Sequence, residues 1–215
     1  MIPAQMISGS FGSKEFQVRT GVSRETLIKF ETYAECLRRW QQQINLIGRG
    51  SLDDLWHRHF FDSAQLRELC HPKTRRLVDL GSGAGFPGMV LSIMGQSGVE
   101  LLESNKRKCS FLGEVARATG TPARITNARF EKVSAPVLAD VVTARAVAPL
   151  SKLLGYVRRW LKPGGVALLH KGGSFERELT QASKDWTMQV HRHQSRTDPS
   201  GAVLEVRELM RTNDN

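Results

Sequence analysis

A chain of 215 residues, 40% of them hydrophobic, has enough apolar content to bury the core of one domain of ordinary size. Its 31 lysines and arginines against 21 aspartates and glutamates give a formal charge of +10, which favours a polyanionic partner, nucleic acid foremost. Three widely spaced cysteines, Cys36, Cys70 and Cys109, argue against a disulfide framework or a paired-cysteine metal knuckle; with no signal-peptide pattern and no apolar run of membrane length, the expectation is a soluble cytoplasmic protein.

In chain order, residues 1–22 are rich in serine and glycine and read as a flexible arm. From the N-cap Ser23, apolar residues Leu27, Phe30, Ala34, Leu37, Trp40 and Ile44 fall three or four apart and predict an amphipathic helix ending near Gly48. A second helix is expected from Ser51, with Asp54 as its box partner and Leu52, Leu55, Trp56, His59, Phe60, Ser63 and Leu66 on one face. Residues 23–72 therefore read as a helical extension ahead of the main domain, 73–215. After HPKT the period changes. Strands are predicted at 76–80, 99–102, 124–126, 140–143, 166–170, 187–191 and 203–208, with helices at 86–94, 106–119, 149–161 and 174–183. That alternation implies an α/β, Rossmann-like fold: a seven-stranded, mostly parallel sheet covered on both faces. The turn-rich RTDPSGA between the last two strands closes them into an antiparallel hairpin.

LVDLGSGAGFPG, residues 77–88, stands where the first strand of such a sheet runs into its helix, the place where ligands collect. Gly81, Gly83 and Gly85 remove β-carbons, so the backbone can turn sharply and approach a small molecule. The dinucleotide fingerprint carries its third glycine one position later and seats a pyrophosphate on the helix N-terminus. The spacing here is that associated with S-adenosylmethionine, whose zwitterionic end has no phosphate. Asp79 is then available, directly or through water, to the cofactor ammonium, and Glu103, at the end of the second strand, to both ribose hydroxyls.

VDLGSGAGFPG, with NLIG at 45–48 and WHRHFFDS at 56–63 before it and TARAVAPL at 143–150 and LHKGG at 169–173 after it, resembles the ribosomal RNA small-subunit methyltransferase G family, also called GidB. The likeness runs from the first helix to the last strand. It implies transfer of a methyl group from S-adenosylmethionine to N7 of one guanosine in 16S ribosomal RNA of the small ribosomal subunit. It further implies that Gly81 and Phe86 belong to the cofactor loop, that Phe130 and Glu131 lie beside the adenine, and that Arg145 stands at the shared mouth of cofactor and substrate. One departure is Ile47-Gly48, where many members carry threonine or asparagine after NL.

The chemistry fits that acceptor. Carbon methylation of a pyrimidine needs a cysteine nucleophile, and none follows the fourth strand; methylation of an exocyclic amine commonly uses an [DN]PP[YF] element, where this chain reads TARAVAPL. Guanine N7 offers an unprotonated in-plane lone pair and requires no general base. Arg145 and Lys171 are candidate positioning cations, expected on O6 or a phosphate, since an arginine forked onto N7 would block the attacking lone pair. His59 and Asp62, three apart, read as a structural link between the extension and the main domain, and neither HRH, at 57–59 or 191–193, reads as a metal site. The protein is expected to act as a monomer. A small-molecule methyltransferase, a non-catalytic RNA-binding protein and a nucleotide-dependent oxidoreductase are the alternatives.

Overall fold

The computed structural model describes residues 11–213. Part of the expected arm, 1–10, lies outside them; the rest is not an arm. Ser13–Thr20 forms helix α1, ended by Gly21 in the left-handed conformation (φ 66°), and its Phe16 is fully buried. That ring packs on Phe30 at 4.8 Å and Trp56 at 5.5 Å, a hydrophobic anchor that the surrounding polar residues hide in the sequence.

Helix α2, Arg24–Gln41, begins as expected, with Ser23 Oγ accepting from Thr26 N. It ends seven residues before Gly48 because the Gln41 side chain turns the chain: its Oε1 accepts from the Leu46 and Ile47 amides, and its Nε2 donates to the Ile47 carbonyl. The expected second helix is not regular either. Ser51 belongs to a 3₁₀ turn, Arg49–Ser51; a π-helical segment, Trp56–Phe61, leads into the short turn α3, Asp62–Ala64, and a 3₁₀ segment, Gln65–Leu69. π-Helical turns recur at functional sites, and this one rotates the side chains that follow relative to an α-helix.

The remaining elements are β1 Leu77–Leu80, α4 Gly88–Ile93, β2 Val99–Glu103, α5 Lys106–Thr119, β3 Arg124–Asn127, β4 Ala139–Arg145, α6 Leu150–Trp160, β5 Leu161–Lys171, α7 Phe175–Ala182, β6 Trp186–Gln194 and β7 Ala202–Arg211. They build one seven-stranded sheet in the order β3-β2-β1-β4-β5-β7-β6, parallel except for β7, which runs antiparallel to both its neighbours. The Rossmann-like expectation and its terminal hairpin hold.

Alternate residues of each strand feed two cores. One face, with Leu77, Leu101, Val141 and Leu168, packs under α4, α5 and the whole helical extension; the other, with Val78, Leu80, Val142 and Leu169, packs under α6 and α7. The extension therefore shares a core with the sheet and covers it.

Candidate active site

The glycine loop leaves β1 at Gly81 and is braced from beneath. Ser82 N donates to the Leu102 carbonyl of β2, and Gly83 N donates to Glu103 Oε2 at 2.9 Å. The other carboxylate oxygen of Glu103 accepts from Asn105 N at 2.7 Å. Each oxygen thus carries one amide bond and retains acceptor capacity. Gly81 and Gly83 have φ of 68° and 58°, and a Cβ on Gly81 would sit 3.1 Å from Val147 Cγ2 and 3.6 Å from Phe130. Phe130, half-buried in the turn after β3, meets Tyr156 edge-on. Gly81, Gly83, Glu103 and Phe130 are thereby gathered at the carboxyl ends of β1 to β3. Bare backbone, an aromatic edge and a carboxylate with spare lone pairs fit a nucleoside cofactor such as S-adenosylmethionine.

Three expected cofactor residues stand differently. Asp79 is buried away from direct contact with an ammonium: it is 1% exposed, Thr143 Oγ1 donates to its Oδ1 at 2.7 Å and Gly88 N to its Oδ2 at 3.3 Å. Burial raises its pKa against these hydrogen bonds. Asp79 ties β1, β4 and the start of α4 together under the loop. Gly85 does not open the backbone to a ligand but to the extension, because a Cβ there, at φ 95°, would meet the Tyr33 hydroxyl and Met89. Phe86 is 3% exposed and stacks on Tyr33, with its loop held by a hydrogen bond from the Tyr33 hydroxyl to the Ala84 carbonyl. Glu131 keeps a partly exposed carboxylate 3.9 Å from Arg129, and its carbonyl accepts from Arg159.

Arg145 closes β4 beside this loop, its guanidinium 4.9 Å from the Phe86 ring centroid. Rather than standing free for a substrate, it donates to Asp62 Oδ2 and the Arg58 carbonyl, both at 3.2 Å, and to His59 Nδ1 at 2.8 Å. Since arginine only donates, His59 accepts at Nδ1 and carries its proton on Nε2, which donates to Ser51 Oγ at 2.9 Å. Burial, reinforced by Arg145, lowers the His59 pKa to about 3, so the ring is neutral. Asp62 also accepts from Thr197 Oγ1 of the β6–β7 turn at 2.7 Å, and its carbonyl from His170 Nε2 of β5 at 2.9 Å. The expected link made by His59 and Asp62 thus reaches the end of β4, the end of β5 and the hairpin. Lys171 likewise is neither solvent-facing nor free: it pairs with Glu178 at 2.6 Å and donates to the Ala148 carbonyl.

Beside Arg145 opens a cavity of about 270 Å³, bounded by Arg58, Asp62, Lys171, Glu178, Thr197 and Asp198 among others. Arg58, Arg145 and Lys171 are balanced there by Asp62, Glu178 and Asp198. Composition and spacing had not pointed to Tyr33, Thr143, Glu178, Thr197 or Asp198, because each acts across the fold. Three groups of basic residues are candidates for RNA phosphates: Lys73/Arg75/Arg76 lead into β1 and Arg158/Arg159/Lys162 into β5, at the amino ends of strands, while Lys106, Arg107 and Lys108 open α5 on the side of the glycine loop.

A family model described as GidB, rRNA small subunit methyltransferase G, matches residues 26–204. Similar curated proteins include the ribosomal RNA small subunit methyltransferase G of Rhodospirillum centenum, 54% identical across 93% of this chain and 92% of that protein. The protein of the same name from Paramagnetospirillum magneticum is 52% identical across 93% and 97%. Among solved structures, a ribosomal protein L11 methylase from Lactobacillus delbrueckii subsp. bulgaricus superposes with a TM-score of 0.56 at 15% identity, covering 70% of this chain and 78% of that one. A TehB-like SAM-dependent methyltransferase from Corynebacterium glutamicum does so with 0.54 at 17% identity, covering 82% and 96%. The structural likenesses bear on the fold alone.

Proposed function

The chain belongs to the GidB family of ribosomal RNA small subunit methyltransferases G, and from that membership we propose that it methylates N7 of a specific guanosine in 16S ribosomal RNA of the small ribosomal subunit, with S-adenosylmethionine as donor. When bound, the cofactor supplies an electrophilic methyl on a sulfonium. The observation that carries the reading is the Glu103 carboxylate fastened to the Gly83 amide, an acceptor for a ribose held against a loop of bare backbone. Phe130, beside Gly81, supplies an apolar wall for the adenine.

The polar residues around the cavity suit an acceptor that needs no deprotonation. His59 is neutral and half-buried, with both ring nitrogens committed, so it does not serve as a base. A guanine ring becomes positive as its N7 is methylated, and unpaired cations beside it would oppose that charge. Arg145 and Lys171 are paired with Asp62 and Glu178, so each holds its place without presenting a net positive charge. Catalysis then rests on holding acceptor and donor in line. Among the described residues no helix is long and apolar enough to cross a membrane. Action on ribosomal RNA as a cytoplasmic monomer is part of the same proposal.

The test is incubation with methyl-labelled S-adenosylmethionine and 16S ribosomal RNA or small subunits lacking the modification, followed by chain cleavage at 7-methylguanine. Label at one guanosine is the expected result. Label on another base, or none on RNA, refutes the reading.

A further inference from the structure

We propose that the cavity beside Arg145 is the pocket for the acceptor base, and that Asp198 makes it specific for guanine by accepting from the N1–H and 2-amino groups, with Arg58 on the nucleotide phosphate. The proposal rests on the methyl-transfer reading and adds the site at which the acceptor is chosen.

Position is the first argument. The cavity lies at the carboxyl ends of β4 and β5 and shares Arg145 with the glycine loop through the Phe86 ring, so a base within it lies next to the cofactor cradle. An enzyme that modifies a base must take it out of the stack into such a pocket.

The second argument is which lining groups remain unengaged. Asp62, Arg145, Lys171 and Glu178 are consumed by one another and by the backbone. The Arg58 side chain makes no hydrogen bond or ion pair with a described residue, and it is exposed at the rim. Asp198 Oδ1 is fixed by Ser200 N and Oγ at 2.9 and 2.7 Å; Oδ2 lies along the Gly201 backbone, with the Arg58 charge acting on the carboxyl, and no described side chain donates to it. One cation and one carboxylate, both exposed and attracting each other across the rim, therefore remain available at a pocket whose other charges are spent.

The third argument is that Asp198 is presented on a rigid turn. Ser195 Oγ accepts from the Thr197 and Asp198 amides, Thr197 Oγ1 donates to Asp62, and Arg196 N donates to Gln65 Oε1. The turn is thus tied to the element that holds Arg145, and the Ser200 bonds keep the Asp198 carboxyl below its usual range, hence ionised at neutral pH.

Chemistry then selects the ligand. A carboxylate only accepts, and guanine alone among the four bases places two adjacent N–H donors, N1–H and the 2-amino group, on its pairing edge. Gripping that edge leaves N7, on the other side of the ring, free to attack. Adenine, cytosine and uracil each present an acceptor on that edge to the carboxylate. An arginine on the phosphate is the usual positioning contact and reads no base.

The test is binding of guanosine and inosine 5′-monophosphates, followed by NMR with S-adenosylhomocysteine present; inosine lacks only the 2-amino group. Wild-type protein should prefer the guanosine nucleotide by roughly tenfold, the worth of one hydrogen bond to a charged acceptor. Asp198→Asn keeps an oxygen for Ser200 but turns a donor towards the base, and should abolish the preference. Arg58→Ala should weaken both nucleotides alike. A preference that survives Asp198→Asn, equal binding of the two nucleotides to wild type, or no binding of either overturns the proposal. Loss of preference in the variant with no methyl transfer to ribosomal RNA by the wild type would instead leave the pocket standing and refute the proposed activity.

Discussion

Arg145 Nη2 lies 2.8 Å from His59 Nδ1, so an obligate donor faces a nitrogen that can accept only while the imidazole is neutral. The relationship makes stability pH-dependent. The His59 pKa is lowered from 6.5 to about 3, so below pH 6.5 the unfolded chain binds a proton that the folded one refuses. Stability contributed at neutral pH is therefore lost as pH falls from 6.5 towards 3, with a limiting slope of about 1.4 kcal/mol per pH unit. His59→Asn offers Arg145 an acceptor oxygen but cannot titrate. Urea unfolding across this range should show a shallower pH dependence for the variant, and parallel curves would refute the neutral assignment.

Two glycines predict opposite responses to the same substitution. Gly85 has φ 95°, and a Cβ there would lie 2.8 Å from Met89 Cβ as well as against the Tyr33 hydroxyl. Gly85→Ala should cost about 2 kcal/mol or more, combining left-handed strain with a displaced buried hydrogen bond. Gly113, inside α5, would meet nothing within 4 Å, so Gly113→Ala should stabilise by about 0.5–1 kcal/mol through helix propensity. Denaturant midpoints decide both.

What could be read from the sequence follows from what is local. The strands and the helices α4 to α7 emerge from apolar period and glycine placement, and Gly81 and Glu103 from their register at strand ends. The partners of Arg145 are 83 to 87 residues away in sequence, so spacing gives no access to them, and the cation expected to meet substrate is spent on Asp62 and His59. The burial of Asp79 was hidden for the same reason: Thr143, which bonds it, lies 64 positions on. The helix α1 was hidden because one phenylalanine, Phe16, among polar residues leaves no periodic signal, yet its ring completes an aromatic cluster with Phe30, Trp56 and Phe60.

Glu103 carries the cofactor reading, and it admits a mild probe. Glu103→Gln can still accept at one oxygen, so the loop persists, but the charge that strengthens hydrogen bonds from ribose hydroxyls is gone. Because its amide nitrogen then faces one of the two backbone amides that Glu103 bonds, the melting temperature should fall slightly, while calorimetry should show S-adenosylmethionine bound roughly tenfold more weakly. Unaltered affinity would remove the ribose from Glu103.

Lys106 and Lys108 open α5 at the end of β2, on the glycine-loop side. If both touch RNA phosphates, replacing them with alanine should weaken binding to every RNA sequence alike and reduce the slope of log affinity against log salt by about 0.9 for each lost contact on duplex, or about 0.7 on single strands. Filter binding at several salt concentrations measures this. An unchanged slope would place the RNA on another face.

Asp62 tests whether the clamp on Arg145 is an energetic unit. Its carboxylate and the guanidinium are 14% and 19% exposed, so neither is well solvated when its partner is removed. Asp62→Asn retains acceptors for Thr197 and Gln65 but leaves Arg145 uncompensated, and should cost about 3 kcal/mol. Arg145→Met, which removes the cation and keeps an unbranched side chain against Phe86, leaves Asp62 the neighbouring His170 and should cost less. In the double variant the two costs should fall short of their sum by at least about 1 kcal/mol, because neither charge is then left without the other. Additive costs in a denaturant-based cycle would mean that Asp62 and Arg145 stabilise the protein independently, and that the hairpin and the extension are joined by packing rather than by this ion pair.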